Sequence, residues 1–151
     1  MRIVLQRVKR ASVTIDGKVS GSIEHGFLAL VGFCEEDNAE VIPPMIDKMA
    51  GLRVFEDDDG KMNLAMSDVG GKLLVVSQFT LYADCRKGRR PSFNLAKNPV
   101  EAEKLYDSFV AQCSDKLGYR VPTGSFGADM KVELINDGPV TIILDSDEIV
   151  K

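Results

Sequence analysis

An unbroken apolar segment constrains the fold of this chain more than any other feature. It covers residues 26–34 (GFLALVGFC) and is bounded by a glycine at one end and acidic residues at the other. A strand with one face in water alternates apolar and polar residues, whereas a strand covered on both faces need not. The segment therefore predicts a central strand of a β-sheet that is covered on both faces.

Further segments predict the rest of the sheet. Residues 2–10 are rich in isoleucine, valine and leucine, and residues 11–15 lead into Asp16-Gly17, with residues 19–23 beyond the turn. Asp-Gly between two such runs is a strong signal for a β-hairpin. Four more strands are predicted, at residues 52–55, 73–81, 130–135 and 140–144. The last two strands flank the segment at residues 136–139.

Two helices are predicted, the clearer one over residues 99–117. Asn98 can cap this helix with Glu101 three residues later, Pro99 suits its first position and Gly118 can end it. Its apolar residues fall on one stripe: Ala102, Leu105, Tyr106, Phe109, Val110, Cys113 and Leu117. The second helix is predicted around residues 41–49, where two prolines mark the start of the regular part.

These elements predict an α+β fold: one domain over residues 1–151, with a mostly antiparallel sheet and two main helices. The net charge of −4 and the pI of about 5.0 argue against a protein that coats nucleic acid or an anionic membrane with its whole surface. A polyanionic partner must therefore meet a local basic patch. The sequence contains neither a membrane-spanning apolar run nor a signal peptide. We expect a cytoplasmic protein without a membrane partner.

The cysteines, the single histidine and the acidic run argue against several kinds of site. Cys34, Cys85 and Cys113 are odd in number and widely spaced, which indicates neither a disulfide framework nor a zinc site. His25, the only histidine, lies in a predicted surface turn, which argues against a Ser-His or Cys-His centre. The run at residues 57–59 is interpreted as a solvated acidic tip. No metal and no cofactor is expected.

One short segment carries dense positive charge. Arg86, Lys87, Arg89 and Arg90 lie within five residues, directly after the strand predicted to end at residue 81. This density suits phosphate groups, although charge alone equally allows a solvated loop or one paired with acidic residues. Four cations near the N-terminus would extend the patch if they emerged on the same side: Arg2, Arg7, Lys9 and Arg10.

Two other segments contain residues that could serve structure or chemistry. Ser77, Gln78 and Thr80 end an apolar strand, where a sheet commonly presents a site. From the residues alone, Thr80 is interpreted as a strand residue with a satisfied hydroxyl. Gly138-Pro139 combines backbone freedom with a bond that can be cis. Because cis bonds are uncommon, the residues alone favour a plain hairpin turn at residues 136–138.

Taken together, two segments resemble the signature motifs of the D-aminoacyl-tRNA deacylase family. They are Ser77-Gln78-Phe79-Thr80-Leu81 and Asn136-Asp137-Gly138-Pro139-Val140-Thr141. Four other segments resemble the family in the expected order and spacing: the opening MRIVLQRVKRASV, GKMNL at residues 60–64, KGRRPSF at residues 87–93 and TGSFGA at residues 123–128. The resemblance covers essentially the whole chain.

The resemblance implies a fold, an assembly and a reaction. The fold is β-barrel-like, and the protein is a homodimer in which Gly138-Pro139 of one chain, with a cis peptide bond, projects into the pocket of the other. The reaction is hydrolysis of the ester that joins a D-amino acid to the 3′ end of tRNA. The rigid backbone of Gly138-Pro139 would collide with the side chain of an L-amino acid, while its carbonyl groups would hold the substrate ammonium. Glycine has no side chain and would be a side substrate.

The resemblance also implies roles for single residues. Backbone N–H groups of Phe79 and Thr80 would stabilise the oxyanion, and Gln78 would position the terminal ribose. Water would attack with help from the ribose 2′-hydroxyl. Ser77 belongs to the same catalytic segment, and covalent attack by Thr80 is the competing mechanism. The cations of residues 86–90 would hold the tRNA acceptor end through its phosphates.

Two alternatives remain open at this point. The first is a relative with relaxed chirality, which clears mischarged L-alanine from tRNA. The second is a non-catalytic RNA-binding module that uses only the basic loop. Tyr82 and Phe93 are the only aromatic residues that flank this loop in sequence, and tryptophan is absent. This shortage of stacking side chains counts against the binding module.

Overall fold

The structure is a computed structural model that describes residues 1–150. Its strands are β1 (Arg2–Ile15), β2 (Lys18–Ile23), β3 (Gly26–Gly32), β4 (Phe55–Glu56), β5 (Met62–Leu64), β6 (Lys72–Ser77) and β7 (Lys131–Asp145). Its α-helices are α1 (Ile42–Gly51), α2 (Pro99–Leu117) and α3 (Ser146–Ile149). Short 3-10 helices form at Ala39–Val41, Met66–Val69 and Phe79–Tyr82.

The long strand β1 organises a curled five-stranded sheet. Along one edge, its first half pairs with β3 and its second half pairs with β2, while its other edge pairs with β7. All three pairings are antiparallel, whereas β3 and β6 run parallel. Strands β4 and β5 form a separate hairpin. The predicted α+β fold, with a mostly antiparallel sheet and two main helices, is confirmed.

The predicted central strand is confirmed as β3, which lies between β1 and β6. Of its residues, only Leu30 is not fully buried. Gly26 begins the strand with a φ of +153°, and a Cβ there would lie 1.8 Å from the carbonyl oxygen of Lys72. Glycine is required for β6 to approach this closely. The parallel pairing that follows places Ser77, the last residue of β6, opposite Val31.

Two hydrophobic clusters cover opposite faces of the sheet, because alternate residues of a strand point to opposite sides. On one face, Phe27 and Leu73 belong to a cluster that includes buried residues of α1 and α2. On the other face, Leu28 and Leu74 pack with the curled second half of β1, including Val13. Half-buried side chains of β7 border this second cluster. Both faces of β3 are therefore covered, as its sequence predicts.

Both predicted helices are confirmed. Helix α2 covers the predicted residues, and Asn98 Oδ1 accepts a hydrogen bond from the Glu101 backbone N–H at 3.0 Å. Helix α1 begins at Ile42 with both prolines in its first turn, where a missing N–H costs no intrahelical hydrogen bond. No helix among residues 1–150 is both long enough and apolar enough to cross a membrane.

Three predicted strand boundaries are wrong. Residues 52–55 contribute only Phe55 to a strand. Residues 73–81 remain extended only as far as Ser77, after which the chain turns into a 3-10 helix, so strand alternation does not extend to Thr80. Residues 130–135 and 140–144 do not flank a hairpin turn. They belong to one strand, β7, which runs along β1 in a single direction.

The Gly138-Pro139 step remains within β7 because it forms a bulge. Asn136 pairs with Val8 and Thr141 pairs with Gln6, so residues 137–140 lie opposite a single residue of β1. Bulges of this kind accommodate proline on an edge strand, where an outward N–H is not needed for the ladder. The hairpin turn favoured by the residues alone is therefore wrong, and the segment projects from the sheet edge.

Candidate active site

The first candidate segment lies where β6 leaves the sheet. The Gln78 backbone N–H donates to the Val31 carbonyl at 2.8 Å, and the chain then turns away from β3. The 3-10 helix that follows is closed by the Leu81 N–H, which donates to the Gln78 carbonyl at 3.2 Å. This turn leaves Phe79 and Thr80 exposed at the end of a buried strand.

A cavity of about 250 Å³ opens beside this segment. Ser77, Gln78 and Phe79 line one side, and residues 126–130 line another. Val76 and Val132 contribute apolar surface from the sheet. The volume is slightly below the usual range for small-molecule pockets, so the cavity fits a small group rather than a length of polymer. The sequence did not identify residues 126–130 as part of the site. Residues 126–128 contribute only to the family resemblance.

Two backbone N–H groups at this site are free to bind a ligand oxygen. Phe79 and Thr80 begin the 3-10 helix, where the first N–H groups have no acceptor within the helix. Within residues 1–150, neither group donates a hydrogen bond. The Gln78 side-chain amide donates to the Thr80 hydroxyl. Of the predicted catalytic segment, Ser77, Gln78 and Phe79 line the cavity, and Thr80 does not.

The second candidate segment is the bulge in β7. The peptide bond between Gly138 and Pro139 is cis, and both residues are exposed. Asn136 Oδ1 accepts a hydrogen bond from the Val140 N–H at 2.9 Å, and Asn136 Nδ2 donates to the Thr141 hydroxyl at 3.0 Å. These bonds join the two ends of the bulge. Within one chain, Gly138 and Pro139 do not line the cavity beside Ser77.

Arg7 anchors the base of this bulge. Its side chain is only 5% exposed, and its Nε donates to the Asp137 carbonyl at 3.0 Å. Its Nη1 donates to the Val54 carbonyl at 2.6 Å. Gly138 has a φ of +133°, and a Cβ there would lie 3.1 Å from Nη2 of Arg7. Arg7 therefore supports the bulge rather than a surface patch, and sequence reasoning missed this role.

The four cations of residues 86–90 lie on one exposed loop. Backbone hydrogen bonds between Asp84 and Ser92, at 2.7 and 2.9 Å, join its ends. Arg86 donates two hydrogen bonds to the Asp84 carboxylate, at 2.8 and 2.7 Å, and this pairing lowers the pKa of Asp84 to about 2. The other three cations have no carboxylate partner in the part of the chain that the structure describes.

An exposed aromatic pair connects this loop to the cavity wall. The rings of Phe79 and Phe93 meet edge to face, with centroids 5.0 Å apart. Their exposed fractions are 56% and 39%. Tyr82 is buried, and the guanidinium of Arg2 lies 4.8 Å from its ring centroid. The sequence points to Tyr82 and Phe93 as the aromatic residues beside the loop, whereas the structure buries Tyr82 and places Phe79 edge to face with Phe93.

The remaining candidate groups have structural contacts elsewhere. His25 is half-buried and packs edge-on against Phe55, with ring centroids 5.2 Å apart. It lines a separate cavity with Arg7 and does not line the one beside Ser77. Asp57 Oδ1 accepts hydrogen bonds from the backbone of residues 59 and 61, so the acidic run closes the turn between β4 and β5.

Comparison with known sequences gives one family. Residues 4–145 match the family described as D-Tyr-tRNA(Tyr) deacylase. The D-aminoacyl-tRNA deacylase of Koribacter versatilis is 57% identical over 146 residues, which cover 97% of each chain. The D-aminoacyl-tRNA deacylase of Thermosipho africanus is 52% identical over 149 residues, which cover 99% of each chain.

Solved structures share the fold. The c-Myc DNA unwinding element binding protein superposes with a TM-score of 0.89 and 42% identity, over 96% of this chain and 98% of its own. A probable eukaryotic D-amino acid tRNA deacylase superposes with a TM-score of 0.84 over 95% and 97% of the two chains. Its identity is 16%, so this second likeness concerns the fold alone. With a family match over residues 4–145 and relatives more than half identical along nearly their whole length, this chain belongs to the D-Tyr-tRNA(Tyr) deacylase family.

Proposed function

We propose that this chain is a D-aminoacyl-tRNA deacylase, which hydrolyses the ester between a D-amino acid and the 3′-terminal ribose of tRNA. The observation that carries the proposal is the pair of backbone N–H groups at Phe79 and Thr80 that donate no hydrogen bond in the described residues, where Phe79 lines a small cavity. Preorganised N–H donors stabilise the oxyanion that forms when an ester carbonyl is attacked. The relatives at 52% and 57% identity are named for this activity.

The proposed chemistry needs little from protein side chains. The ester is activated by the substrate ammonium group, and the neighbouring ribose 2′-hydroxyl assists the attack of water. A bond forms between the water oxygen and the ester carbonyl carbon, and the bond between that carbon and the ribose 3′-oxygen breaks. The 3′-oxygen takes a proton that the water loses. Gln78 positions the ribose, and Ser77 completes the cavity wall. The described lining of this cavity contains no histidine, which this mechanism does not require.

Rejection of L-amino acids is assigned to Gly138-Pro139 of a second copy of the chain. Within one chain this bulge lies outside the cavity beside Ser77, on a strand that pairs only with β1 in the described residues. Ile135 and Ile143 of the same strand are 44% and 64% exposed, which supports a covered interface. In such a homodimer, each bulge would place rigid backbone next to the substrate Cα.

This filter acts on the direction of a side chain and not on its identity. An L-side chain would collide with the bulge, whereas a D-side chain points outward, so many D-amino acids are accepted. Backbone carbonyls near Gly138 and Pro139 would hold the substrate ammonium. Glycyl-tRNA has no side chain to collide and is expected to be a side substrate. Because tRNA is charged and used in the cytoplasm, we place the activity there.

Release of amino acid from D-tyrosyl-tRNA tests the proposed function. The purified protein, without added metal, is expected to release D-tyrosine far faster than spontaneous ester hydrolysis does. The control is the same charged tRNA incubated without protein. A protein that binds this tRNA and leaves the ester intact would be a non-catalytic RNA-binding module, and the proposed function would be wrong.

Replacement of Thr80 by valine separates the two mechanisms. If water attacks, T80V should retain turnover within about threefold of the wild type, because it loses one exposed hydrogen bond and keeps the backbone N–H of residue 80. Steady-state kinetics with D-tyrosyl-tRNA measure this. Thr80→Ser, which keeps the hydroxyl, is the matched control. A folded T80V protein without activity would show instead that Thr80 is the nucleophile.

Binding of tRNA by the basic loop predicts a steep salt dependence. The slope of log affinity against log salt concentration is negative, and each lost phosphate contact reduces its magnitude by about 0.7 to 0.9, so R89Q/R90Q should reduce the magnitude by roughly 1.4 to 1.8. The affinity for uncharged tRNA, measured across a salt series, gives the slope. K116Q is the matched control, since Lys116 lies on α2, outside the loop, and Asp47 already offsets its charge. An unchanged slope in the double variant would remove the loop from the tRNA site.

A further inference from the structure

Phe79 and Phe93 present aromatic surface to solvent outside the cavity that is assigned to the ester. Their ring planes are inclined by 66°, so the two rings form a corner with an open face rather than a closed stack. Exposed apolar surface of this kind is unfavourable in water. Where it is grouped and rimmed by polar residues, it commonly marks a place that a partner covers.

Another cavity is lined by residues of the basic loop and its ends. Its volume is about 440 Å³, within the range of small-molecule sites, and it is lined by Asp84, Arg86, Lys87 and Ser92. Arg86 uses Nε and Nη2 to bind Asp84, which fixes the guanidinium and leaves Nη1 for another acceptor. Lys87 adds a flexible cation. A cavity lined by two cations thus includes Ser92, the residue that precedes Phe93 in the chain.

We infer that this surface binds the unpaired nucleotides that precede the aminoacylated nucleotide of tRNA, with a base stacked on Phe93 and a phosphate held by the loop cations. The inference rests on the proposed function, because it takes the cavity beside Ser77 as the place of the ester. Aromatic rings next to cations bind single-stranded nucleic acid without reading its sequence. A paired stem would use the cations alone, since its bases are stacked on one another.

Charge favours RNA over a protein partner at this surface. The four cations of residues 86–90 lie on the loop that leads to Phe93, and this density of positive charge suits phosphate groups. The chain as a whole has a net charge of −4, so this loop is where a polyanion can approach without repulsion. Contact with a second protein chain is the outcome that the test below must exclude.

Phe93→Leu tests the stack, because leucine keeps an apolar side chain and removes the ring. F93L is expected to bind uncharged tRNA roughly 10-fold more weakly than the wild type, in the range for loss of one stacked base. For tRNA that lacks the unpaired 3′ nucleotides, F93L and the wild type should have equal affinity. F93Y keeps the ring and should bind like the wild type. V100A shortens another exposed apolar residue, 68% exposed, and should change neither affinity.

Hydrolysis provides a second comparison. For D-tyrosyl-tRNA, F93L should raise KM roughly 10-fold and keep kcat within about twofold. For 3′-O-D-tyrosyl-adenosine, which has no preceding nucleotide, F93L and the wild type should be equal. A general loss of stability would impair hydrolysis of both substrates, so it would not produce a defect that is confined to D-tyrosyl-tRNA.

Several results would overturn the inference. They are unchanged tRNA binding by F93L, an equal loss with and without the unpaired nucleotides, and a change of oligomeric state in sedimentation, which would assign the rings to a protein contact. The binding comparison uses uncharged tRNA and needs no catalysis. If the wild type hydrolysed neither ester, the proposed function would fail, and the binding comparison would still decide whether Phe93 holds a single strand.

Discussion

Replacing Gly138 with alanine is expected to slow D-aminoacyl-tRNA hydrolysis by about 100-fold, the effect of a displacement of about 1 Å near a reacting centre. The added Cβ would lie 2.8 Å from Val140 Cγ2 and 3.1 Å from Nη2 of Arg7. The φ of +133° is also a conformation that residues with a side chain rarely adopt. The bulge must therefore shift, together with the surface assigned to the substrate Cα. Rates with D-tyrosyl-tRNA measure the loss.

Gly17→Ala is the matched control for this prediction. Gly17 also has a positive φ, of +78°, but a Cβ there would meet nothing within 4 Å. G17A should therefore lose some stability through backbone strain and keep its activity. If G138A remained as active and as selective as the wild type, the bulge would have no place in the site. Equal losses of activity in both variants would assign the effect to general strain.

Replacing Arg7 with methionine is expected to lower the free energy of unfolding by about 3 kcal/mol, because two hydrogen bonds from a buried charged group are lost. Methionine fills a similar space but cannot donate to the carbonyls of Asp137 and Val54. Since the Asp137 bond anchors the bulge, hydrolysis of D-tyrosyl-tRNA should also fall by about 10-fold or more. Denaturant unfolding measures the stability, and steady-state kinetics measure the activity.

Two variants show whether the two hydrogen bonds of the buried Arg7 guanidinium account for these losses. Lys9 Nζ lies 3.8 Å from Asp137 Oδ2, but the Lys9 side chain is 65% exposed, so K9M should cost at most about 1 kcal/mol. R7K keeps the charge and loses the two-pronged geometry, so it should behave more like R7M than like the wild type. Equal destabilisation by K9M and R7M would contradict the anchoring role of Arg7.

Local signals in the sequence were sufficient for the elements that depend on neighbours in the chain. Helix α2 has a capping residue, a first-turn proline, an apolar stripe and a terminal glycine, all within residues 98–118, and the structure follows them. Strand β3 was predictable because burial on both faces leaves an unbroken apolar run. The hairpin of β1 and β2 was also predictable, because its turn signal, Asp16-Gly17, lies between the two strands in the sequence.

The candidate site depends instead on contacts that no local pattern encodes. The turn after Ser77 is set by where β6 ends against β3, and residues 79–81 alone remain compatible with a strand. The bulge in β7 requires β1 on its inner edge, so its sequence in isolation favours a hairpin turn. The role of Arg7 follows from distant carbonyls that the fold brings to it. The family resemblance identified the two motifs, and the structure adds that one chain does not bring them together.

Amino acid release from one tRNA charged with D-tyrosine or with L-tyrosine is the most direct test of the chiral function. The proposed site predicts rapid release from the D-ester and release from the L-ester at no more than the spontaneous rate. The two esters share the tRNA, the ribose and the side chain, so only the configuration at Cα differs between them. Comparable release from the L-ester would contradict the chiral filter and indicate a relative with relaxed chirality, and release from neither ester would contradict the enzymatic function itself.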